Sequence, residues 1–270
     1  MIIIGELINA TRKSVKDIII QRDAQRLQEL AKKQITAGAN YLDVNAAAGK
    51  DASTNEEISA MEWAIKTIRT VADIALSIDS ANTEVIKAGL KVCSGQSVFI
   101  NSVTAEKEKL NAILSLATDS KTKIICLAMG SSGIPKTSEE RLNMCSSIYK
   151  RALEFKIAPE NLFFDPLVMP VATDPAQGKV TLETIRYIKK ELPGSKTTVG
   201  LSNVSFGLPE RKLLNRTFLA MLVAAGLDSI ITDPLDSELI AALRASETLI
   251  GNDLYCRKYL QAYRRQQSKV

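Results

Sequence analysis

The sequence contains no histidine. That absence removes Ser-His-Asp and Cys-His nucleophile systems, imidazole acid–base chemistry and most catalytic zinc sites. Cysteine is scarce: Cys93, Cys126, Cys145 and Cys256 form no CxxC pair and no zinc-like spacing, so they read as free thiols, mostly core fillers, in a reducing compartment. Aromatics are only 5% of the residues, and the formal charge of +5 is spread along the chain without a basic block. Both points argue against a nucleic-acid partner. No apolar run reaches the length of a membrane span, and Met1-Ile2-Ile3-Ile4-Gly5-Glu6 is too short and lacks the basic start of a leader. These absences place the expected protein in the cytoplasm, with chemistry resting on carboxylates, amides, Lys, Tyr, thiols or a borrowed cofactor.

What is present is an alternation of short apolar runs with longer helical patterns. The runs are Ile2–Gly5, Tyr41–Asn45, Ile74–Asp79, Val98–Asn101, Ile124–Met129, Leu162–Asp165, Thr198–Asn203 and Ser229–Asp233. Several are continuously apolar, as parallel strands covered on both faces require. Between them, Leu27, Leu30, Ala31 and Ile35 share one face before Gly38. Thr54 with Glu57 and Thr137 with Glu140 have capping-box spacing. The second box leads into an apolar stripe of Leu142, Cys145, Ile148 and Leu153. Further helices are expected near 83–91, 105–117, 179–191, 210–225, 237–249 and 252–265. Eight β-then-α units in 270 residues predict one (β/α)8 TIM-barrel domain over 1–270, with a doubly wound sheet as the alternative. Gly49-Lys50 lacks the upstream glycine of a P-loop.

In such barrels the working residues lie where strands end and βα loops begin. That rule selects Glu6, Asn9, Asp43, Asn45, Asp79, Asn101, Met129, Asp165, Ser202, Asn203 and Asp233. The set alternates acids with amides and holds no lysine, since Lys123 and Lys196 begin their strands. A Schiff-base lysine at the mouth is therefore disfavoured. Interleaved acceptors and donors suit a neutral, nitrogen-rich planar ring better than Mg²⁺, which wants clustered carboxylates. Each residue also has a plainer reading. Asp79 can cap the following helix, Asp165 can start a turn before Pro166, Asp43 and Asn45 can hold loops together, and Asp233 with Asp236 can open a helix.

Taken in order, Gly5-Glu6-Leu7-Ile8-Asn9, Leu42-Asp43-Val44-Asn45, Ser59-Ala60-Met61-Glu62-Trp63, Ile78-Asp79-Ser80, Ile100-Asn101-Ser102, Phe164-Asp165-Pro166-Leu167, Gly200-Leu201-Ser202-Asn203-Val204-Ser205 and Asn215-Arg216-Thr217-Phe218-Leu219-Ala220 resemble the methyltetrahydrofolate:corrinoid protein methyltransferases of the pterin-binding barrel superfamily. The resemblance runs over nearly the whole chain. That family includes the enzyme serving the corrinoid iron–sulfur protein, the folate module of cobalamin-dependent methionine synthase, and methyltransferases of O-demethylase systems. The resemblance implies that Asp79, Asn101 and Asp165 hydrogen-bond the pterin ring and that Asn203 reaches N5 of the folate as the catalytic residue. Gly200, Leu201 and Ser202 would follow the ring edge, with Met129, Glu6 and Asn9 in the mouth and Arg211 near the folate tail. Phe206 stands where other members place a polar pterin contact. The resemblance further implies tetrahydrofolate or 5-methyltetrahydrofolate as substrate, a corrinoid (cobalamin) carried on a partner protein, no metal held by this chain, and a homodimer. The alternatives are a dihydropteroate synthase-like enzyme, whose lysine position is Asn203 here and whose Arg-x-His motif cannot exist, and a non-catalytic folate-binding or corrinoid-docking module.

Overall fold

The computed structural model describes residues 1–47, 52–117 and 121–267, with side chains to 264; Gly49 and Lys50 lie outside them. Eight parallel strands form one sheet in the order β7-β6-β5-β4-β3-β2-β1-β8. They are β1 (Ile2–Asn9), β2 (Tyr41–Asn45), β3 (Ala75–Asp79), β4 (Val98–Val103), β5 (Thr122–Leu127), β6 (Leu162–Asp165), β7 (Lys196–Thr197) and β8 (Ser229–Thr232). An isolated bridge between Gly200 and Ile231, with the Ile231 N–H on the Val199 carbonyl at 2.8 Å, joins the two ends of the sheet. The architecture is the expected (β/α)8 barrel.

Ten α-helices surround it among the described residues: α1 (Lys13–Gln21), α2 (Ala24–Thr36), α3 (Thr54–Arg69), α4 (Thr83–Val92), α5 (Lys107–Leu116), α6 (Ser138–Glu154), α7 (Gln177–Glu191), α8 (Arg211–Ala225), α9 (Ser237–Leu249) and α10 (Arg257–Gln267). Helix α1 has no counterpart in the sequence reading. The box at the start of α3 is formed by Ser53 and Glu56, not Thr54 and Glu57. Glu56 reaches back to the Ser53 N–H at 2.7 Å while the Ser53 hydroxyl accepts from the Glu56 N–H. The Thr137–Glu140 box at α6 forms as expected. The buried stripe of α6 is Ser138, Arg141, Cys145, Ile148 and Ala152, whereas Leu153 is exposed. All four cysteines are free, and only Cys256 is exposed.

Aromatic rings fill the barrel interior. Phe99 stacks edge-on against Tyr41 and against Phe163, each at a centroid separation of 4.7 Å, and Ile4 and Ile125 complete the cluster. Such pairs add roughly 0.5–1.5 kcal/mol each beyond the area they bury. This plug is the floor on which polar strand ends sit. Strand β1 slips register against β2 between Gly5 and Ile8. The Leu7 N–H there donates to the buried Gln34 side-chain oxygen at 3.1 Å. A Cβ on Gly5 would stand 2.5 Å from that same oxygen, so a larger residue there would push the Gln34 amide off the Leu7 N–H.

The seventh strand differs most from expectation. The sequence suggests a strand over Thr198–Asn203, but the ladder stops at Thr197, and Leu201–Ser205 form a 3₁₀ turn. The Thr197 N–H is taken by the Asp228 carboxylate at 2.8 Å rather than by a neighbouring strand. Asn203 therefore sits on a tight turn above the strand end.

Candidate active site

Strand register brings the polar ends level. Asn9 is the partner of Asn45 across β1 and β2, and Asp79 of Asn101 across β3 and β4. Residues opposite one another on parallel neighbours point to the same face, so these side chains form a ring at the C-terminal mouth. One layer below, Asp43 is paired in register with Ser77, and both are buried.

Two carboxylate–amide pairs tie the layer together. The Asn45 amide donates to the Asp79 carboxylate at 3.0 Å, and the Asn101 amide donates to Asp43 at 3.1 Å. Helix α4 is capped by Asn82, so Asp79 does not have the capping role open to it in the sequence. Asp43 and Asn45 do more than hold loops: each fixes the rotamer of a neighbouring candidate ligand. Asn101 spends its NH₂ on Asp43 and turns its oxygen to the remaining side.

Across the mouth, the Asp165 carboxylate accepts the Leu167 N–H at 2.8 Å, which is the turn-former reading, yet it is also buried at the end of β6. Burial pushes its pKa up to about 6, against the pull of the Leu167 N–H, Arg141 and the Gly200 N–H. Asp43 is pushed up to about 7 by burial and then by the adjacent Asp79 charge, with Glu6 adding to it. Burial also raises Asp79, eased by Asn45. Glu6 is raised by burial and by Asp233, although Arg12 donates to it at 3.0 Å. Four carboxylates raised by burial thus share one end of the barrel, as groups poised for a ligand do.

Asn203 is exposed, and its side chain makes no hydrogen bond among the described residues. Its amide nitrogen would be 3.9 Å from a Cβ built on Gly200, so it lies over the residue whose N–H serves Asp165. The turn bearing it is pinned from α8. Arg211 donates to the Ser202 carbonyl at 2.7 Å and to the Ser205 hydroxyl at 3.1 Å, and that hydroxyl donates to Asn215 at 2.7 Å. Arg211 and Asn215 thus hold the Asn203 turn, a role the sequence does not display. Leu201 is wholly buried and contributes backbone only to the rim, while Ser202 is half-buried. Met129 lies past the end of β5, its carbonyl accepting the Ala105 N–H at 2.8 Å. Asn9 caps its own turn, accepting from the Thr11 hydroxyl at 2.7 Å. Asp233 accepts the Leu235 N–H at 2.8 Å, and Asp236 caps α9.

The sequence profile of the pterin binding enzymes matches residues 5–233, from the first strand through the last. The chain belongs to that family. This pterin-binding enzyme is 32% identical over 266 residues to the methylcorrinoid:tetrahydrofolate methyltransferase of Eubacterium limosum, covering 98% of this chain and 96% of that one. It is 28% identical to the methionine synthase of Mycobacterium tuberculosis, over 86% of this chain but only 20% of that much longer protein. Among solved structures, dihydropteroate synthase from Xanthomonas albilineans in complex with 7,8-dihydropteroate superposes with a TM-score of 0.66 at 18% identity, covering 93% of this chain and 94% of that one. The Yersinia pestis dihydropteroate synthase in a sulfonamide complex gives 0.66 at 15%, with the same coverage. At such identities the likeness carries the barrel fold alone. Among the described residues, no helix is long and apolar enough to cross a membrane.

Proposed function

We propose that this pterin-binding enzyme moves a methyl group, in either direction, between N5 of tetrahydrofolate and the cobalt of a corrinoid carried by a separate protein. The observation that carries the reading is the unengaged Asn203 amide standing over Gly200, beside the buried Asp165 and across from Asp79 and Asn101. The 32% identical relative, whose name joins methylcorrinoid to tetrahydrofolate, supports the same assignment.

In this reading Asp79 and Asp165 accept N–H groups of the pterin, and Asn101 offers its oxygen because its NH₂ is already given to Asp43. A neutral ring rich in N–H donors satisfies carboxylates that burial leaves short of partners. Gly200, Leu201 and Ser202 present backbone along the ring edge. Glu6, Asn9 and Met129 complete the wall. Arg211 serves mainly by fixing the Asn203 turn.

The chemistry at N5 explains the amide. As a leaving group an amine nitrogen is poor unless it gains a proton or hydrogen bond as the bond to carbon breaks. The Asn203 NH₂ donates to the nitrogen lone pair that emerges, and the same side chain rotated presents its carbonyl when N5 bears a proton. A group that strengthens its contact as charge develops lowers the barrier rather than merely tightening binding. The cobalt supplies the methyl acceptor or donor. Without histidine this chain cannot build an Asp-x-His-x-x-Gly corrinoid-binding motif, so the corrinoid arrives on another protein that docks at the mouth. Phe206, exposed in the segment after β7, gives that rim apolar footing. A homodimer working in the cytoplasm completes the proposal.

The test mixes the protein with tetrahydrofolate and a methylated corrinoid and follows cobalt absorbance. Demethylation of the corrinoid with formation of 5-methyltetrahydrofolate is expected. Folate binding without exchange would instead mark a docking module, and condensation of a pterin pyrophosphate with p-aminobenzoate would mark a dihydropteroate synthase.

A further inference from the structure

Arg141 is the largest side chain wholly removed from solvent. It stands on the buried stripe of α6, where Cys145, Ile148 and Ala152 follow. A guanidinium is expensive to bury unless its donors are all used. Here four of its five N–H donors are spent on one corner of the chain. Nε donates to the Pro135 carbonyl at 3.1 Å, one terminal nitrogen to the Pro166 and Leu167 carbonyls at 2.8 Å each, and the other to the Gln177 side-chain oxygen at 2.6 Å. Gln177 is in turn held by Asp174 at 2.8 Å.

The corner it grips is the one that aims Asp165. Leu167 has φ +65°, a left-handed conformation disfavoured for a leucine, and it is the Leu167 N–H that donates to Asp165. Relaxation of Leu167 would swing that donor away. Arg141 holds both flanking carbonyls, and it also faces the Asp165 charge. We infer that Arg141 is a positioning residue for the binding site: its buried guanidinium locks the Pro166–Leu167 corner, so that Asp165 is aimed into the mouth for the ligand's N–H groups.

The inference rests on the pterin-site reading, and the experiment separates the two. The charged or titratable groups facing Arg141 are Asp165, Cys145 and Asp174, so a change at this position reaches the site through Asp165. Tetrahydrofolate affinity is measured by calorimetry from pH 5 to 8 for the full chain and for Arg141→Lys, Arg141→Gln, Gln177→Met and Asp165→Asn. In the parent, affinity falls as pH drops, because protonated carboxyls lose an acceptor; Asp43, Asp79 and Glu6 are also raised by burial at this mouth, so the Asp165 share, near 6, is the part of the fall that Asp165→Asn lacks. Lysine keeps the charge but cannot bridge the carbonyls, so affinity falls about tenfold or more with the midpoint nearly in place. Glutamine loses the charge as well, and the midpoint moves up by about one pH unit. Gln177→Met loosens one end only and lowers affinity a few-fold, about the loss of a single hydrogen bond; it decides the matter alone if the arginine variants do not fold. Unchanged affinity and midpoint in Gln177→Met and in whichever arginine variants fold would overturn the inference. So would a loss of melting temperature alone. If Asp165→Asn also binds like the parent, the fault lies with the site reading instead.

Discussion

Replacing Asp43 by Asn should make the ligand-free protein more stable in alkaline solution and, by the cost of its extra buried donors, less stable in acid. The side chain is buried, and burial together with the Asp79 and Glu6 charges moves its carboxyl from 3.8 to about 7. The unfolded chain binds its proton only below the ordinary value, while the folded protein keeps one up to near neutrality. The folded state therefore holds the extra proton between those limits, and stability falls as pH rises through that window. At 1.36 kcal/mol for every pH unit between the two values, holding Asp43 ionised at pH 8 costs on the order of 4 kcal/mol. An Asn side chain removes that cost and still offers Asn101 a carbonyl oxygen. Part of the gain is lost to the buried amide's own unmet donors, about 1–3 kcal/mol. A net gain of about 2 kcal/mol would appear as roughly 4–8 °C in melting temperature. Melts of both proteins at intervals from pH 4.5 to 8.5 test this. A difference that is flat with pH, or a gain that widens toward acid, would refute the electrostatic account of the mouth.

Two further expectations concern the reaction. Asn203→Ala should slow methyl exchange by about a hundredfold, the loss of one well-placed transition-state donor, while the calorimetric affinity for tetrahydrofolate stays within about threefold of the parent, the worth of a weak neutral hydrogen bond; equal turnover would take Asn203 out of the mechanism. Arg211→Met releases the Ser202 carbonyl and the Ser205 hydroxyl, so kcat should fall about tenfold through a mobile Asn203 turn with KM for folate little changed; a rise in KM alone would return Arg211 to a role at the folate tail.

The barrel was legible because its strands are buried on both faces and write themselves as continuous apolar runs. Val98-Phe99-Ile100 and Leu162-Phe163-Phe164 are examples whose side chains are all but wholly hidden. Helix α1 was not legible. Its Val15-Lys-Asp-Ile-Ile-Ile stretch is β-branched, and Arg12 at its start offers no side-chain cap, so neither propensity nor capping marks it. At α3 two cap formers precede two glutamates, and only geometry chooses Ser53 with Glu56. The end of β7 was not legible because Thr and Val favour strands, while the chain beyond them winds into the Leu201–Ser205 turn, which is pinned by Arg211 from the following helix. At the site, the rule that strand ends carry function found the right layer. It could not say that Asn45 belongs to Asp79 and Asn101 to Asp43, since those bonds cross strands. Arg141 had a signal that went unread: an arginine on the same stripe as Cys145 and Ile148 must either break the stripe or be buried and partnered.

The same pairings bear on what the mouth can hold. Glu6, Asp43, Asp79 and Asp165 all have pKa values raised first by burial, and either a cation or a donor-rich ring would relieve them. The amides distinguish the two. A hard cation needs several carboxylate oxygens turned inward together, whereas here Asn45 already donates to Asp79 and Asn101 to Asp43. Each donor would have to swing away, or be pressed against the ion. A planar ring asks for no such rearrangement, since each carboxylate keeps a second oxygen for an N–H and Asn101 keeps its carbonyl. The arrangement thus favours many single hydrogen bonds around a flat perimeter over convergence on a point, and it leaves the exposed Asn203 amide, with no side-chain hydrogen bond among the described residues, available for the one ring nitrogen whose bonding changes.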